Sequence, residues 1–472
     1  MGIDGFTGLG DRVPRQPATW LHVSAYRYLL RRTESALLGE NVRAAGFGSR
    51  RHPASLFGCL LTAIALAGCA LLAVLRPHVA LDRAQIVVSR ESGALFVRVG
   101  DAWHPVLNLA SARLIAATAA NPQPVTDSDL DATKRGPLLG IPGAPQFLGR
   151  PLSPGDMDWS MCASTGASTT TVVIGRRSEA PPVHRVPAGQ AILVAPAAGS
   201  PVHLLYNGHR AAVDLDDPAV LRALRLEGRA PVLVSQALLN AVPEAPPIAP
   251  PRIHGLGAKT PRLPGFSVGS VLRITRADGD EYYAVLAAGV QRIGQVAADL
   301  LRFSNSQGTA NPVTVAPEAI RAAPVVAELP VALFPDHPPA LSEPAGALCA
   351  SWEAARSGRA EVAFLTESRL PIPSGRAPVA LAQADGNGPA LDAVYVPPGR
   401  SAYVRAGDKA GTCYLITDTG VRFAIHDDDA ARDLGLADAS RAPWPLLRLL
   451  PSGPELSRQR ASLARDAVAG MP

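Results

Sequence analysis

Lysine is almost missing from this sequence. Among 472 residues only Lys134, Lys259 and Lys409 occur, so the basic character is carried by arginine. That choice reflects composition and not selection for bidentate contacts. A phosphate-cradling P-loop needs a glycine-rich turn with a lysine reaching from it, and so few lysines leave little room for one. Aromatic residues are also scarce, at 5%, whereas Gly and Pro number 42 and 45. That balance argues against a chain of long helices and favours many short elements joined by turns. An apolar fraction of 47% excludes disorder as the default, and the length suits two or three ordinary domains.

The charge is unevenly placed. Residues 1–55 hold Arg12, Arg15, Arg27, Arg31, Arg32, Arg43, Arg50 and Arg51 against Asp4, Asp11, Glu34 and Glu40. The rest of the chain has 45 − 8 = 37 basic and 40 − 4 = 36 acidic residues. The basic excess is therefore a local feature, and it gives no reason to expect a nucleic-acid partner.

Beyond the arginines comes a run without charge, Leu56 to Leu75 (LFGCLLTAIALAGCALLAVL). At a rise of about 1.5 Å per residue, about twenty helical residues cover the hydrocarbon core of a bilayer. The arginine excess on its N-terminal side places residues 1–55 in the cytoplasm by the positive-inside bias. A cleaved signal peptide has a shorter charged region and a shorter apolar run. Leu66–Cys69 (LAGC) looks like a lipoprotein box, but six more apolar residues follow Cys69. An uncleaved membrane anchor is expected, in contact with lipid. Upstream, Val23 to Leu38 has helical spacing, with Val23, Tyr26, Leu30, Thr33 and Leu37 on one face, Arg27, Arg31 and Glu34 on another, and Ser24 as the expected cap. Such a helix suits either an anionic lipid surface or a cytoplasmic partner.

After Leu81 the pattern turns strand-like, as in Gln85–Ser89, Ala94–Val99, Thr171–Ile174 and Ala191–Ala195. Four stretches share one plan of strand, Gly-containing turn, short strand and helical run: Ala94–Ile115, Val202–Leu226, Tyr282–Phe303 and Cys413–Leu436. Their turn glycines are Gly100, Gly208, Gly289 and Gly420, where a residue tolerating positive φ is expected. Two stretches precede the Pro-rich linker Val242–Pro264 and two follow it, which suggests a two-fold pseudo-symmetric body. Cys59 and Cys69 lie in the apolar run; Cys162, Cys349 and Cys413 lie where disulfides form. Cys413 sits in a repeat strand, and Cys162 and Cys349 sit in the intervals expected to form a core. That favours pairing Cys162 with Cys349.

Motifs for chemistry do not assemble. Lys259-Thr260 follows Gly255-Leu-Gly257-Ala258, but the spacing is wrong for a P-loop and Pro261 blocks the helix start. Gly265-Phe-Ser267-Val-Gly269 matches a nucleophile elbow, yet Pro264 precedes it and a strand, Val271–Thr275, follows instead of a helix. His203 and His209 flank a turn without a third metal ligand. Asp427-Asp428-Asp429, and Asp214, Asp216 and Asp217, are expected to begin helices, where carboxylates suit the positive dipole end. No catalytic residue, cofactor or metal site is assigned.

Several segments together resemble the EccB family, membrane components of the type VII (ESX) secretion apparatus. They are Val23–Arg32 (VSAYRYLLRR), Ile64–Cys69 (IALAGC), Gly93–Gly100 (GALFVRVG), His104–Arg113 (HPVLNLASAR), Gly136–Pro145 (GPLLGIPGAP), Gly289–Ile293 (GVQRI), Val396–Gly399 (VPPG) and Ile416–Val421 (ITDTGV). The resemblance implies an α+β fold: a single transmembrane helix, then an elongated periplasmic region of four small repeat domains around a central β-rich core. The expected divisions are a cytoplasmic segment 1–55, the span 56–76, repeat 1 at 82–125, a first core section at 126–200, repeat 2 at 201–241, the linker 242–264, repeat 3 at 265–310, a second core section at 311–410, repeat 4 at 411–455 and a tail 456–472. It implies a structural subunit of the secretion channel in the inner membrane. The subunit self-associates in a multimer and assembles with EccC, EccD and EccE type subunits. Tyr26, Arg27, Leu30, Arg31 and Leu37 are then the docking helix. The family's core disulfide falls on Cys162 and Cys349, and Cys413 becomes an extra thiol. Members also carry an ATPase label, for which these positions supply no nucleotide site, and their repeats resemble wall-binding modules, which makes peptidoglycan a further candidate partner.

Overall fold

The computed structural model describes residues 20–37, 53–74, 81, 83–165, 169–177, 184–277, 279–305, 311–344, 346–354, 360–407 and 411–466. The chain divides into two compact units, Met1–His78 and Val79–Pro472. In the first, a helix runs over Trp20–Leu37, four residues earlier than the cap expected at Ser24. Neither Gly nor Pro interrupts Trp20–Val23, so nothing in the local chemistry stops the helix at Ser24. A second helix, Pro53–Val74, contains no charged residue, and its Thr62 hydroxyl turns inward to donate to the Gly58 carbonyl at 2.7 Å. Side chains are described over residues 58–69 of it. Among the described residues no helix is long and apolar enough to cross a membrane. The flanking Arg50, Arg51 and Arg76 lie outside the described residues.

The second unit uses one topology four times. Three antiparallel strands lead into a helix, and a short fourth strand returns parallel to the first, on its free edge. The first copy is Ile86–Ser89, Leu95–Val99, Ala102–Val106, helix Leu109–Ala116 and Gln123–Val125. The second is Gln190–Ala195, Val202–Tyr206, His209–Val213, helix Pro218–Leu224 and Val232–Leu233. The third is Val271–Arg276, Gly279–Val285, Val290–Ile293, helix Gln295–Ser304 and Val313–Thr314. The fourth is Arg400–Ala406, Cys413–Ile416, Arg422–Ile425, helix Asp428–Asp433 and Ser440–Ala442. First strands such as Ile86–Ser89 and Gln190–Ala195 are buried on both faces, which is why they read as apolar runs. In the third copy Val271, Ala284 and Ile293 pack under Ala297 and Leu301 of the helix, while Leu272, Ile274 and Val285 pack against Ile320 on the other side.

Helices join the copies in pairs. Val296 and Leu300 of the third copy's helix share a core with Val220, Ala223 and Leu224 of the second. Ala110 and Leu114 of the first share one with Ala430, Ala431 and Leu434 of the fourth. Each fully buried leucine contributes about 2 kcal/mol of hydrophobic stabilisation. The second and fourth copies are held in turn by a central seven-stranded sheet. Ile192, Val194 and Leu205 from one and Ala402, Val404 and Ile416 from the other pack with Trp159, Met161 and Val172 of that sheet.

Two antiparallel strands form the middle of this sheet, Trp159–Ser164 and Ala347–Ala354. Cys162 faces Cys349 across the pair, and the two are joined in a disulfide with Cα atoms 4.0 Å apart. The tripeptide Cys162-Ala-Ser164 recurs as Cys349-Ala-Ser351. Shifting one strand onto the other by that repeat returns the cysteine pair to itself. The disulfide therefore marks a local two-fold relation between the halves of the unit, and its two ends are 187 residues apart in sequence.

On the disulfide face, Leu365 lies opposite Cys349 and Glu367 lies opposite Ala347. Alternation puts Glu367 on the same face as the bridge. It is 3% exposed, and neither carboxylate oxygen has a hydrogen-bond partner among the described residues. Burial pushes its pKa up to about 7, against the pull of the Arg177 charge. The folded state then binds a proton that the unfolded chain releases in the ordinary carboxylate range. Stability is full below that range and falls as pH rises through about 7.

Two outcomes are expected. Cys162→Ser with Cys349→Ser should lower the denaturant midpoint of the full chain, through a loss of at most about 5 kcal/mol of unfolding free energy from loop-closure entropy. An unchanged midpoint would show that the bridge constrains nothing. Wild-type protein should be less stable at pH 8 than at pH 5, and Glu367→Gln should flatten that slope, a difference of up to about 3 kcal/mol. Equal pH slopes in the two proteins would contradict a buried, protonated Glu367.

Candidate functional site

The hairpin glycines show how the copies touch the central sheet. Gly100 has φ +62° and opens a two-residue turn closed by the Val99–Ala102 pair, while Gly208 has φ +76° beside Asn207 at +44°. Two successive positive φ values give the primed turn that matches strand twist. Gly420 has φ +82°. A Cβ at Gly208 would collide with the Val362 carbonyl of the central sheet, and one at Gly420 with the Val394 side chain. These two turn tips, in the second and fourth copies, rest against the core. Gly289 corrects the expectation: its φ is outside the left-handed region. Glycine is needed there because a Cβ would strike the Pro324 carbonyl, which accepts a 2.8 Å bond from Val290 N.

The acidic runs are helix starts. Asp427 accepts from Ala430 N at 2.7 Å, with Asp428 and Asp429 in the first turn. Asp217 accepts from Ala219 N at 2.7 Å, and Asp214 takes the Asp216 amide at 2.9 Å. His203 and His209 are not brought together, since the register sets His203 opposite Ala212 and His209 opposite Tyr206. His203 is nearly buried, with Nε2 accepting from Arg210 at 3.3 Å, and Arg210 pairs with Glu244 at 3.0 Å. Burial, then the Arg210 charge, holds the His203 pKa below the usual histidine range. Among the described residues no group of three His, Cys, Asp or Glu could hold a metal. Cys413 is a half-buried free thiol beside Tyr403, whose pKa is raised by burial and then by its hydrogen bond to that thiol.

Lys259, Thr260, Pro261, Pro264, Gly265, Phe266 and Ser267 line a cavity of about 530 Å³. Lys259 and Ser267 meet there as an antiparallel bridge. No helix starts within residues 251–270, all of them described, and the strand Val271–Arg276 comes next. The lysine thus has no helix N-terminus beside it, and no histidine or carboxylate lines the cavity to activate Ser267. The strand–turn–helix arrangement of a P-loop or a nucleophile elbow is not found at residues 251–276.

On the first helix Tyr26, Leu30 and Leu37 are 66%, 50% and 87% exposed, with Arg27 and Arg31 exposed as well. One residue that the pattern of the sequence did not single out is Gln291, 7% exposed in the strand Val290–Ile293. Its Oε1 accepts from Glu328 N at 2.8 Å and Leu329 N at 2.7 Å, and its Nε2 donates to Leu329 O at 2.9 Å. A lone amide inside Val290–Ile293 was the available signal.

Known proteins share this chain's sequence and backbone course. A family model described as type VII secretion system ESX-1, transport TM domain B, matches residues 15–470. The ESX-3 secretion system ATPase EccB3 of Mycolicibacterium smegmatis is 35% identical over 483 residues, covering 95% of this chain and 91% of that protein. The ESX-5 secretion system ATPase EccB5 of Mycobacterium tuberculosis is 33% identical over 482 residues, covering 96% and 94%. Among solved structures, a chain of an intact ESX-5 inner membrane complex superposes with a TM-score of 0.72 at 30% identity, covering 98% of each chain. The EccB3 dimer from the ESX-3 core complex gives 0.69 at 33% identity over 81% of this chain and 100% of that one. With a family profile running nearly end to end and a third of the residues shared over whole lengths, this chain belongs to the EccB family of type VII secretion proteins.

Proposed function

We propose that this chain is a structural subunit of a type VII (ESX) secretion membrane complex. It crosses the inner membrane once through Leu56–Leu75, keeps residues 1–55 in the cytoplasm and folds its second unit in the periplasm. The observation that carries this reading is the 98% mutual coverage with a chain of an intact ESX-5 inner membrane complex. The arginine-loaded N-terminal side of the apolar run supports the orientation, and a disulfide in the second unit fits an oxidising compartment. The helix Trp20–Leu37 docks EccC, EccD or EccE type subunits through Tyr26, Leu30 and Leu37, with Arg27 and Arg31 at the lipid or partner surface. The four copies, which run over 86–125, 190–233, 271–314 and 400–442, stabilise the channel's periplasmic vestibule. Self-association is favoured by the likeness to the EccB3 dimer. No feature of the Lys259 cavity favours hydrolysis of a nucleotide over this structural role.

Deleting residues 1–40 should leave the protein in the membrane but remove it from a complex purified in mild detergent. Normal recovery of the complex would refute the docking role. Any nucleotide hydrolysis by the purified full chain should be unchanged by Lys259→Ala; activity abolished by that substitution would instead identify an enzyme.

A further inference from the structure

In each copy the third strand is bonded on its inner side to the second strand, and its outer edge faces away. The chain covers that edge itself. In the second copy Arg210 N donates to Pro243 O, Ala245 N to Arg210 O and Ile248 N to Ala212 O, at 2.8, 2.8 and 2.9 Å. In the fourth, Arg422 N donates to Pro451 O, Gly453 N to Arg422 O and Leu456 N to Ala424 O, at 2.9, 2.8 and 2.8 Å. The first copy uses the short parallel strands Lys134–Arg135 and Leu138–Leu139 for the same purpose. The third copy begins alike, with Val290 N on Pro324 O at 2.8 Å and Val326 N on Val290 O at 2.9 Å.

There the likeness stops. Leu329 matches Ile248 and Leu456 in its distance from the leading proline, yet its amide goes to the Gln291 side chain. Gln291 stands where the second and fourth copies have Ala211 and Phe423, neither able to intercept it. Among the described residues, the outer edge of Arg292 has no covering strand. A groove of about 540 Å³ opens beside it, with Arg292, Val325, Asp280, Glu281 and Asp336 in its lining. Val325 is 74% exposed on the groove; Asp280 and Glu281 are paired with Arg273, Arg276 and Arg292, and Asp336 has no ion pair among the described residues.

We propose that this groove is a strand-addition site. It takes an extended segment of another polypeptide, running parallel to Val290–Ile293, bonded to the backbone of Arg292 and carrying lysine or arginine. An uncovered strand edge is a template for a further strand, and main-chain bonds supply the affinity while side-chain pockets supply the choice of sequence. The parallel direction is the one that the covering segments take in the sibling copies. The Asp336 carboxylate in the lining selects the basic side chain. Nothing in the proposal depends on which complex the chain enters.

The test uses the full chain in mild detergent and a fluorescent hexapeptide of alternating valine and lysine, read by anisotropy. Two further peptides carry N-methyl groups on the valine amides or on the lysine amides. Successive amides of a strand point to opposite edges, so one methylated peptide should bind like the parent and the other about tenfold more weakly. Asp336→Lys and Val325→Asp, both at exposed positions, should each weaken the parent peptide by about tenfold. No binding of the parent, equal behaviour of the two methylated peptides, or indifference to both substitutions would overturn the proposal. Circular dichroism of the two variants separates lost binding from lost fold.

Discussion

The fold of the second unit depends on one contact, the antiparallel pairing of Trp159–Ser164 with Ala347–Ala354. These strands come from opposite halves of the unit's sequence, and each half contributes two copies of the same small sheet. Pairing them creates the central sheet on which the second and fourth copies pack, and those in turn hold the third and first through helix contacts. Loop closure over so long a separation is entropically costly, and the Cys162–Cys349 bridge removes that freedom from the unfolded chain. A buried Glu367 beside the bridge, its pKa pushed up to about 7, is the cost of closing that face without a hydrogen-bond partner among the described residues.

Repetition explains both the stability and the specialisation of the unit. Each copy is too small to bury its own sheet and helix alone, so each shares apolar surface with a neighbour. The copies then differ where function allows. Gly208 and Gly420 press on the core from equivalent turns, whereas the corresponding glycine of the third copy makes room for its own covering segment. Gln291 is the deepest departure, because one amide changes how a whole strand edge is presented. A common scaffold fixes the position of each copy, and a single residue such as Gln291 changes where its covering segment is bonded.

Much of this is legible in the sequence. The middle hairpin and helix of every copy stand out, because a Gly turn between β-branched runs followed by a capped apolar period is a strong local signal. The first strands, such as Gln190–Ala195 and Arg400–Ala406, group by sequence with the core intervals, since nothing local says which sheet a short apolar run will join. The two-residue returning strands, such as Val232–Leu233, have no periodicity to find. Asp427 and Asp217 are readable as helix starts; Ser24 misleads, because a possible cap residue inside a helix has the same side chain as a real one. The register that keeps His203 and His209 apart follows from strand pairing, which the spacing of the two histidines does not disclose. Gly289 and Glu367 could not be read, because what constrains each is a residue brought close only by the tertiary fold.

This chain works as one member of a membrane assembly. The most direct measurement is to extract it from its own membranes in mild detergent, under gentle isolation, and determine the mass and composition of what contains it. A multimer holding several copies together with multi-span and motor-type membrane subunits is the expected result. A stable single chain with no companion, recovered under conditions that keep other membrane assemblies whole, would contradict it.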